Sequence, residues 1–99
     1  MRLSKKQIQT IQDIARQVAG KRGRIRVFGS RLDDNARGGD LDLLLELPEA
    51  VAQPALMAAQ MSAKVSRLMR GRRVDVIISA PNLKRLPIHD VALQEGQVL

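Results

Sequence analysis

The apolar positions of the chain repeat with a helical period in two long segments. Ser4 and Gln7 have the spacing of a capping box, and the helical repeat that follows stops at Gly20, a typical residue just past a helix end. The second helix is predicted to begin at Pro54 and to end at Gly71. Its predicted buried stripe consists of Met57, Met61, Val65 and Leu68.

Three shorter segments alternate between apolar and polar residues, which predicts strands over residues 24–28, 40–47 and 73–79. A period of two places Asp40 and Asp42 on one face of the second strand. Its other face carries Leu41, Leu43, Leu45 and Leu47. Asp75 likewise faces away from the apolar side of the third strand, which carries Val74, Val76 and Ile78.

A short terminal helix over residues 88–95, stopped by Gly96, completes the order helix, strand, strand, helix, strand, helix. This order predicts an α/β (α+β) fold, in which helices pack on one face of a small mixed β-sheet of three to four strands. The chain has 99 residues and no internal repeat or linker. We therefore expect one domain over residues 1–99.

The composition excludes several kinds of site. The chain has no cysteine, which excludes disulfides, thiolate metal sites and cysteine nucleophiles. It has one histidine, His89, which we expect at the surface or as a helix cap. No apolar run approaches the ~18 residues of a membrane span, and the N-terminus lacks the apolar region of a signal peptide. The expected protein is soluble and cytoplasmic.

The charge distribution is uneven. Seventeen Lys and Arg against ten Asp and Glu give a net charge of +7, which favours a polyanionic partner such as a nucleotide or nucleic acid. Phe28 is the sole aromatic residue, which argues against a nucleic-acid-binding module, although that alternative stays open. Residues 38–63 contain no basic residue, and their acidic residues are Asp40, Asp42, Glu46 and Glu49.

Paired aspartates are the main candidates for chemistry. Asp40 and Asp42 project side by side from one strand, and a divalent cation would relieve their mutual repulsion. If the strands pair, Asp75 joins them, and three carboxylates suit the two-metal sites of nucleotidyl transfer. The alternatives are a solvated strand face with incidental acids and, for Asp75, a surface ion pair with Arg73.

Gly29, Ser30 and Arg31 follow the first strand. Glycine allows the backbone to approach a ligand closely, while serine and arginine offer donors to phosphate oxygens. The alternative is an ordinary turn with a solvated arginine.

Taken in order, the segments GSR, GDLDLLLE and VDVI give a pattern that covers nearly the whole chain. This pattern resembles the nucleotidyltransferase superfamily typified by DNA polymerase β, and within it the minimal nucleotidyltransferase (MNT) family of small prokaryotic proteins. The resemblance implies that Asp40, Asp42 and Asp75 hold two Mg²⁺ ions, and that Asp75 also helps to deprotonate the attacking hydroxyl. It further implies that Gly29 and Ser30 hold the β- and γ-phosphates.

One position departs from the family pattern. Gly39 stands where the family usually has a small polar residue, most often serine, before the first aspartate. The change removes a hydroxyl and no metal ligand.

The resemblance also implies a reaction and a partner. The expected reaction transfers AMP from ATP to a hydroxyl acceptor, and the expected partner is a HEPN-type helical ribonuclease that this chain neutralises as the antitoxin of a toxin–antitoxin pair. The acceptor surface would come from that partner or from a second copy in a homo-oligomer. The alternative is a catalytically inactive protein of the same fold that neutralises its partner by binding alone.

Overall fold

The computed structural model describes residues 3–29 and 40–99, which form three helices and four strands. In chain order these are α1 (Lys5–Ala19), β1 (Arg24–Phe28), β2 (Leu41–Glu46), α2 (Pro54–Leu68), β3 (Val74–Ser79), α3 (Pro87–Glu95) and β4 (Gln97–Val98). No helix within these described ranges combines the length and the apolar character needed to cross a membrane.

The ends of α1 agree with the sequence prediction. The Ser4 hydroxyl accepts a hydrogen bond from the Gln7 N–H at 3.1 Å, and the Gln7 side chain accepts one from the Ser4 N–H at 2.9 Å. Gly20 then leaves the helix at a φ of +82°, where an L side chain is strained. By contrast, α2 ends before Gly71, because the left-handed residues Arg70 and Gly71 (φ +59° and +83°) already turn the chain.

The sheet has the strand order β3-β2-β1-β4. β1 is antiparallel to both β2 and β4, whereas β2 and β3 are parallel. A parallel pair needs a long crossover connection, and α2 provides it. The predicted mixed sheet is thus confirmed. β4 was not predictable from the sequence, because a two-residue strand carries no alternating pattern.

The main core lies between the sheet and the two longer helices. Leu41, Leu43 and Leu45 of β2 are fully buried there, as their alternation predicts. α2 contributes Met61 and Val65, while Met57 and Leu68 are partly buried at the edge of the same cluster. α1 contributes Ile11, Ile14 and Ala15.

The position of α3 differs from the expectation that all helices pack on one face of the sheet. α1 and α2 cover the face of the main core, but α3 lies over the opposite face, which also carries the aspartates. A second apolar cluster forms there from Phe28, Leu44 and Ala92, with Leu93 and Ile77 packed against it. Leu44 and Ile77 are apolar residues on the otherwise polar face of β2 and β3. Packing of α3 against this face removes them from water.

His89 is a buried helix cap and not a surface residue. Its Nδ1 accepts a hydrogen bond from the Leu86 N–H at 2.8 Å, and its Nε2 donates one to the Ile78 carbonyl at 2.9 Å. Both ring nitrogens are therefore engaged in holding the start of α3 against β3.

Asn82 connects the two loops that follow β2 and β3. Its Oδ1 accepts from the Val51 N–H at 2.9 Å, and its Nδ2 donates to the Val51 carbonyl at 2.8 Å.

Asn82→Ala leaves both backbone groups of the buried Val51 without these partners, and we expect a loss of about 1–3 kcal/mol in the free energy of unfolding. Urea denaturation measures this change. Gln60→Ala, at an exposed position of α2, is the control expected to stay within ~0.5 kcal/mol, and equal midpoints for the two variants would contradict the prediction.

Candidate functional site

The β2–β3 register places Asp42 directly opposite Asp75. Residues paired across neighbouring strands project from the same face, about 4.8 Å apart. Asp40 stands one residue before β2 and two before Asp42, and its side chain is half exposed, as is that of Asp75 (50% and 45%). The structure therefore brings the three predicted carboxylates to one end of the β2–β3 pair, open to solvent.

Electrostatic effects show that these carboxylates act on one another. Burial raises the pKa of Asp42 above its usual value, and the negative charges of Asp75 and Asp40 raise it further. The positive charge of Arg73 partly opposes this rise in the pKa of Asp42. Ionised Asp42 is therefore held in an unfavourable environment that an added cation would relieve.

Arg73 pairs with two of the three aspartates. Its Nε donates a hydrogen bond to Oδ1 of Asp75 at 3.1 Å and lies 3.9 Å from Oδ2 of Asp40. The hydrogen bond that Arg73 donates to Asp75 raises the pKa of Arg73. The surface ion pair that the sequence offered as an alternative for Asp75 is thus present, and it also reaches Asp40. This second contact was not predicted from the sequence, although Arg73 and Asp75 have the spacing of residues on one strand face.

The other acidic residues of the 38–63 segment have partners of their own. Glu46 pairs with Arg26 of β1, and Glu49 pairs with Arg22, which lies just before the start of β1. Within the described part of the chain, Arg73 is the basic residue that contacts the aspartates. Among the described residues, three carboxylates therefore stand against one guanidinium, which contacts two of them and leaves an excess of negative charge.

Gly29 brings the backbone that leaves β1 against the Asp42 carboxylate. A Cβ at this position would collide with the Asp42 side chain, and the φ of +76° is one that L residues rarely adopt. The φ therefore favours glycine here, and a larger residue would also push the Asp42 carboxylate aside. Ser30 and Arg31, the other predicted phosphate-binding residues, lie outside the described residues, and so does Gly39.

The donor chemistry of the site fits a hard divalent cation. Mg²⁺ prefers a few carboxylates supplemented by water and phosphate oxygens, and two of the three aspartates have half-exposed side chains. Across residues 3–29 and 40–99, however, no three acidic, histidine or cysteine side chains are already gathered closely enough to hold an ion. The guanidinium of Arg73 lies between two of the carboxylates instead.

Comparison with known protein families gives one match. A family model described as a nucleotidyltransferase domain matches residues 8–99, which include all four strands and the three aspartates. Comparison with curated proteins gives no match, and comparison with solved structures gives none either.

Proposed function

We propose, because the chain belongs to the nucleotidyltransferase domain family, that it transfers a nucleoside monophosphate from ATP to a hydroxyl group. The four-stranded mixed sheet with three helices is consistent with the fold of that family. The observation that carries the proposal is the pairing of Asp42 with Asp75 in register, with Asp40 two residues away and Gly29 against Asp42.

The proposed reaction is a displacement at the α-phosphorus of ATP. The acceptor oxygen forms a new phosphoester bond, the bond between the α-phosphorus and the bridging oxygen breaks, and pyrophosphate leaves with the electron pair. The proton of the acceptor hydroxyl passes to the carboxylate of Asp75. Asp75 suits this role because its half-exposed side chain faces the solvent from which an acceptor arrives.

Asp40, Asp42 and Asp75 would hold two Mg²⁺ ions in this proposal. When bound, such ions supply Lewis-acid stabilisation of the charge that develops on the phosphoryl oxygens. Gly29, with Ser30 and Arg31, would hold the β- and γ-phosphates. The contact of Gly29 with the Asp42 carboxylate supports this role, because it places the backbone that leaves β1 beside one of the proposed metal ligands.

The biological setting that we propose follows the resemblance to minimal nucleotidyltransferases. In this setting the chain is the cytoplasmic antitoxin of a toxin–antitoxin pair. It transfers AMP to a HEPN-type helical ribonuclease and thereby silences it. The partner, or a second copy of the chain, would supply the surface that holds the acceptor.

ATP binding is expected to depend strongly on Mg²⁺. Three carboxylates and a triphosphate repel one another, so removal of Mg²⁺ with EDTA is expected to weaken ATP binding roughly tenfold or more. Calorimetry with and without Mg²⁺ measures this difference. Asp90→Asn, which alters an exposed aspartate paired with Arg85 away from the site, is the control expected to keep the full Mg²⁺ effect. Equal ATP affinity in EDTA would contradict the proposal.

A non-catalytic interaction protein is the second candidate function. It is favoured by the hydrogen bond of Arg73, which occupies the carboxylate that would accept the proton. Incubation of the chain with labelled ATP, Mg²⁺ and a candidate helical partner separates the two functions. Labelled partner supports transfer, whereas a partner that is bound and silenced without label supports neutralisation by contact.

A further inference from the structure

The backbone of Arg73 is held beside the aspartates, and its side chain contacts two of them. Its carbonyl accepts a hydrogen bond from the Leu41 N–H at 3.1 Å, which holds Arg73 next to the start of β2 and therefore next to Asp40. Its guanidinium meets Asp75 on one side and Asp40 on the other. The side chain is nevertheless 73% exposed, so it is free to move into solvent.

The neighbouring Arg72 has a different environment. The Arg72 carbonyl accepts a hydrogen bond from the Ser66 hydroxyl at 2.7 Å, which ties this residue to α2. Its side chain is exposed, and no described carboxylate pairs with it. The two adjacent arginines thus have the same charge and differ in their contact with the aspartates.

We propose that Arg73 is an internal counter-ion that links Asp40 and Asp75 in the metal-free protein and competes with the divalent cation for them. The inference rests on the proposed function, because it concerns the ion that the proposed reaction needs. Oδ1 of Asp75 accepts the Arg73 hydrogen bond and is also a ligand atom that an ion would use. A cation that binds this carboxylate competes with the guanidinium for its negative charge and its lone pairs, so Arg73 lowers the affinity for the ion and limits the repulsion between the carboxylates when no ion is bound.

The position of the guanidinium also explains why the carboxylates are not gathered around a common centre. Arg73 bridges Asp40 and Asp75. Burial and the negative charges of these two aspartates disfavour the ionised form of Asp42. Exposed ion pairs of long side chains are weak and exchange readily with solvent. The Arg73 bridge is therefore weak enough to yield to a divalent ion.

The test measures Mn²⁺ binding without nucleotide by calorimetry, and thermal melting in EDTA. Arg73→Gln is expected to bind Mn²⁺ roughly three- to tenfold more tightly than the unchanged protein, because one positive charge in contact with the ligands is removed. In EDTA the same variant is expected to melt at a lower temperature. Arg73→Lys keeps the charge and should restore most of the original affinity, and Arg72→Gln should change neither measurement.

Several outcomes would overturn the inference. Damage to a purely structural residue weakens ion binding, so weaker or unchanged Mn²⁺ affinity in Arg73→Gln contradicts competition. An equal gain in Mn²⁺ affinity in Arg72→Gln would show that only the net charge of the protein matters. At physiological ionic strength, salt screens such an effect beyond ~8 Å. If neither the unchanged protein nor Arg73→Gln binds Mn²⁺, the proposed function fails and the inference fails with it. If the unchanged protein binds Mn²⁺ and Arg73→Gln binds it with the same affinity, the inference alone is wrong.

Discussion

Asp42→Asn is expected to lower nucleotidyl transfer about a thousandfold while the protein stays folded, because it removes the charge at the centre of the three-aspartate cluster. The substitution is nearly isosteric and opens no cavity. Asp42 projects from the face opposite the main core, so Leu41 and Leu43 keep their packing. Loss of activity with a preserved fold would therefore report on the chemistry of the carboxylate.

The same substitution is expected to raise stability at neutral pH. Burial and the charges of Asp75 and Asp40 raise the pKa of Asp42 in the folded protein above its ordinary value of 3.8. Its contribution to stability is then fully present below pH 3.8 and is lost as the pH rises through the higher, folded-state pKa. Asparagine has no charge to lose. Its advantage in metal-free protein should appear at neutral pH and shrink in acid.

Two measurements check these expectations for Asp42→Asn. Incorporation of labelled AMP into an acceptor measures transfer, and thermal melting in EDTA at pH 7 and near pH 3 measures the stability difference. Asp90→Asn, at an exposed ion pair outside the cluster, is the control expected to retain transfer. Full labelling by Asp42→Asn would contradict a catalytic role for this carboxylate, and a lower melting temperature at pH 7 would contradict the electrostatic argument.

Gly29→Ala is expected to damage both the fold and the site. The new Cβ would meet the Asp42 carboxylate, and alanine is strained at a φ of +76°. We expect a loss of about 1–3 kcal/mol in the free energy of unfolding. Displacement of Asp42 by about 1 Å is expected to lower transfer on the order of a hundredfold.

Gly20→Ala separates the two causes of damage at Gly29. Gly20 has nearly the same φ, +82°, but a Cβ there would meet no atom within 4 Å. Gly20→Ala should therefore show backbone strain without loss of transfer. Urea denaturation and AMP incorporation on both variants make the comparison, and wild-type transfer by Gly29→Ala would show that the contact with Asp42 does not matter for function.

Local pattern was sufficient to predict most elements of this fold. The bounds of β1 are as predicted. β2 is one residue shorter than predicted at each end, and β3 begins one residue later than predicted. The place of α3 was not predictable in this way, because its few apolar positions do not say which face of the sheet they cover. The available sign that a helix covers this face was the presence of the apolar residues Leu44 and Ile77 among positions otherwise assigned to polar residues.

The sequence could predict that the candidate aspartates lie on polar strand faces, but it could not predict their contacts. A period of two assigns Asp42 and Asp75 to polar strand faces, but it does not say which strands are neighbours or in what register. Those depend on the α2 crossover and on the packing of the main core. The contacts of Arg73 with Asp40 and of Gly29 with Asp42 arise from this tertiary arrangement. The functional roles of all the candidate residues stay predictions: Asp40, Asp42, Asp75, Gly29, Ser30 and Arg31.

The parallel register of β2 and β3 links the existence of the site to the completion of folding. Asp42 and Asp75 lie 33 residues apart in the chain, and a shift of β3 by one residue would turn Asp75 toward the core and Val76 toward solvent. The apolar contacts that select the register therefore select the geometry of the carboxylates as well. A chain whose third strand has not docked offers no intact site, so a ligand held by both aspartates binds only the finished fold. Such a ligand would stabilise the whole sheet by mass action and protect α2 and β3 from proteolysis along their full length, far beyond the residues it touches.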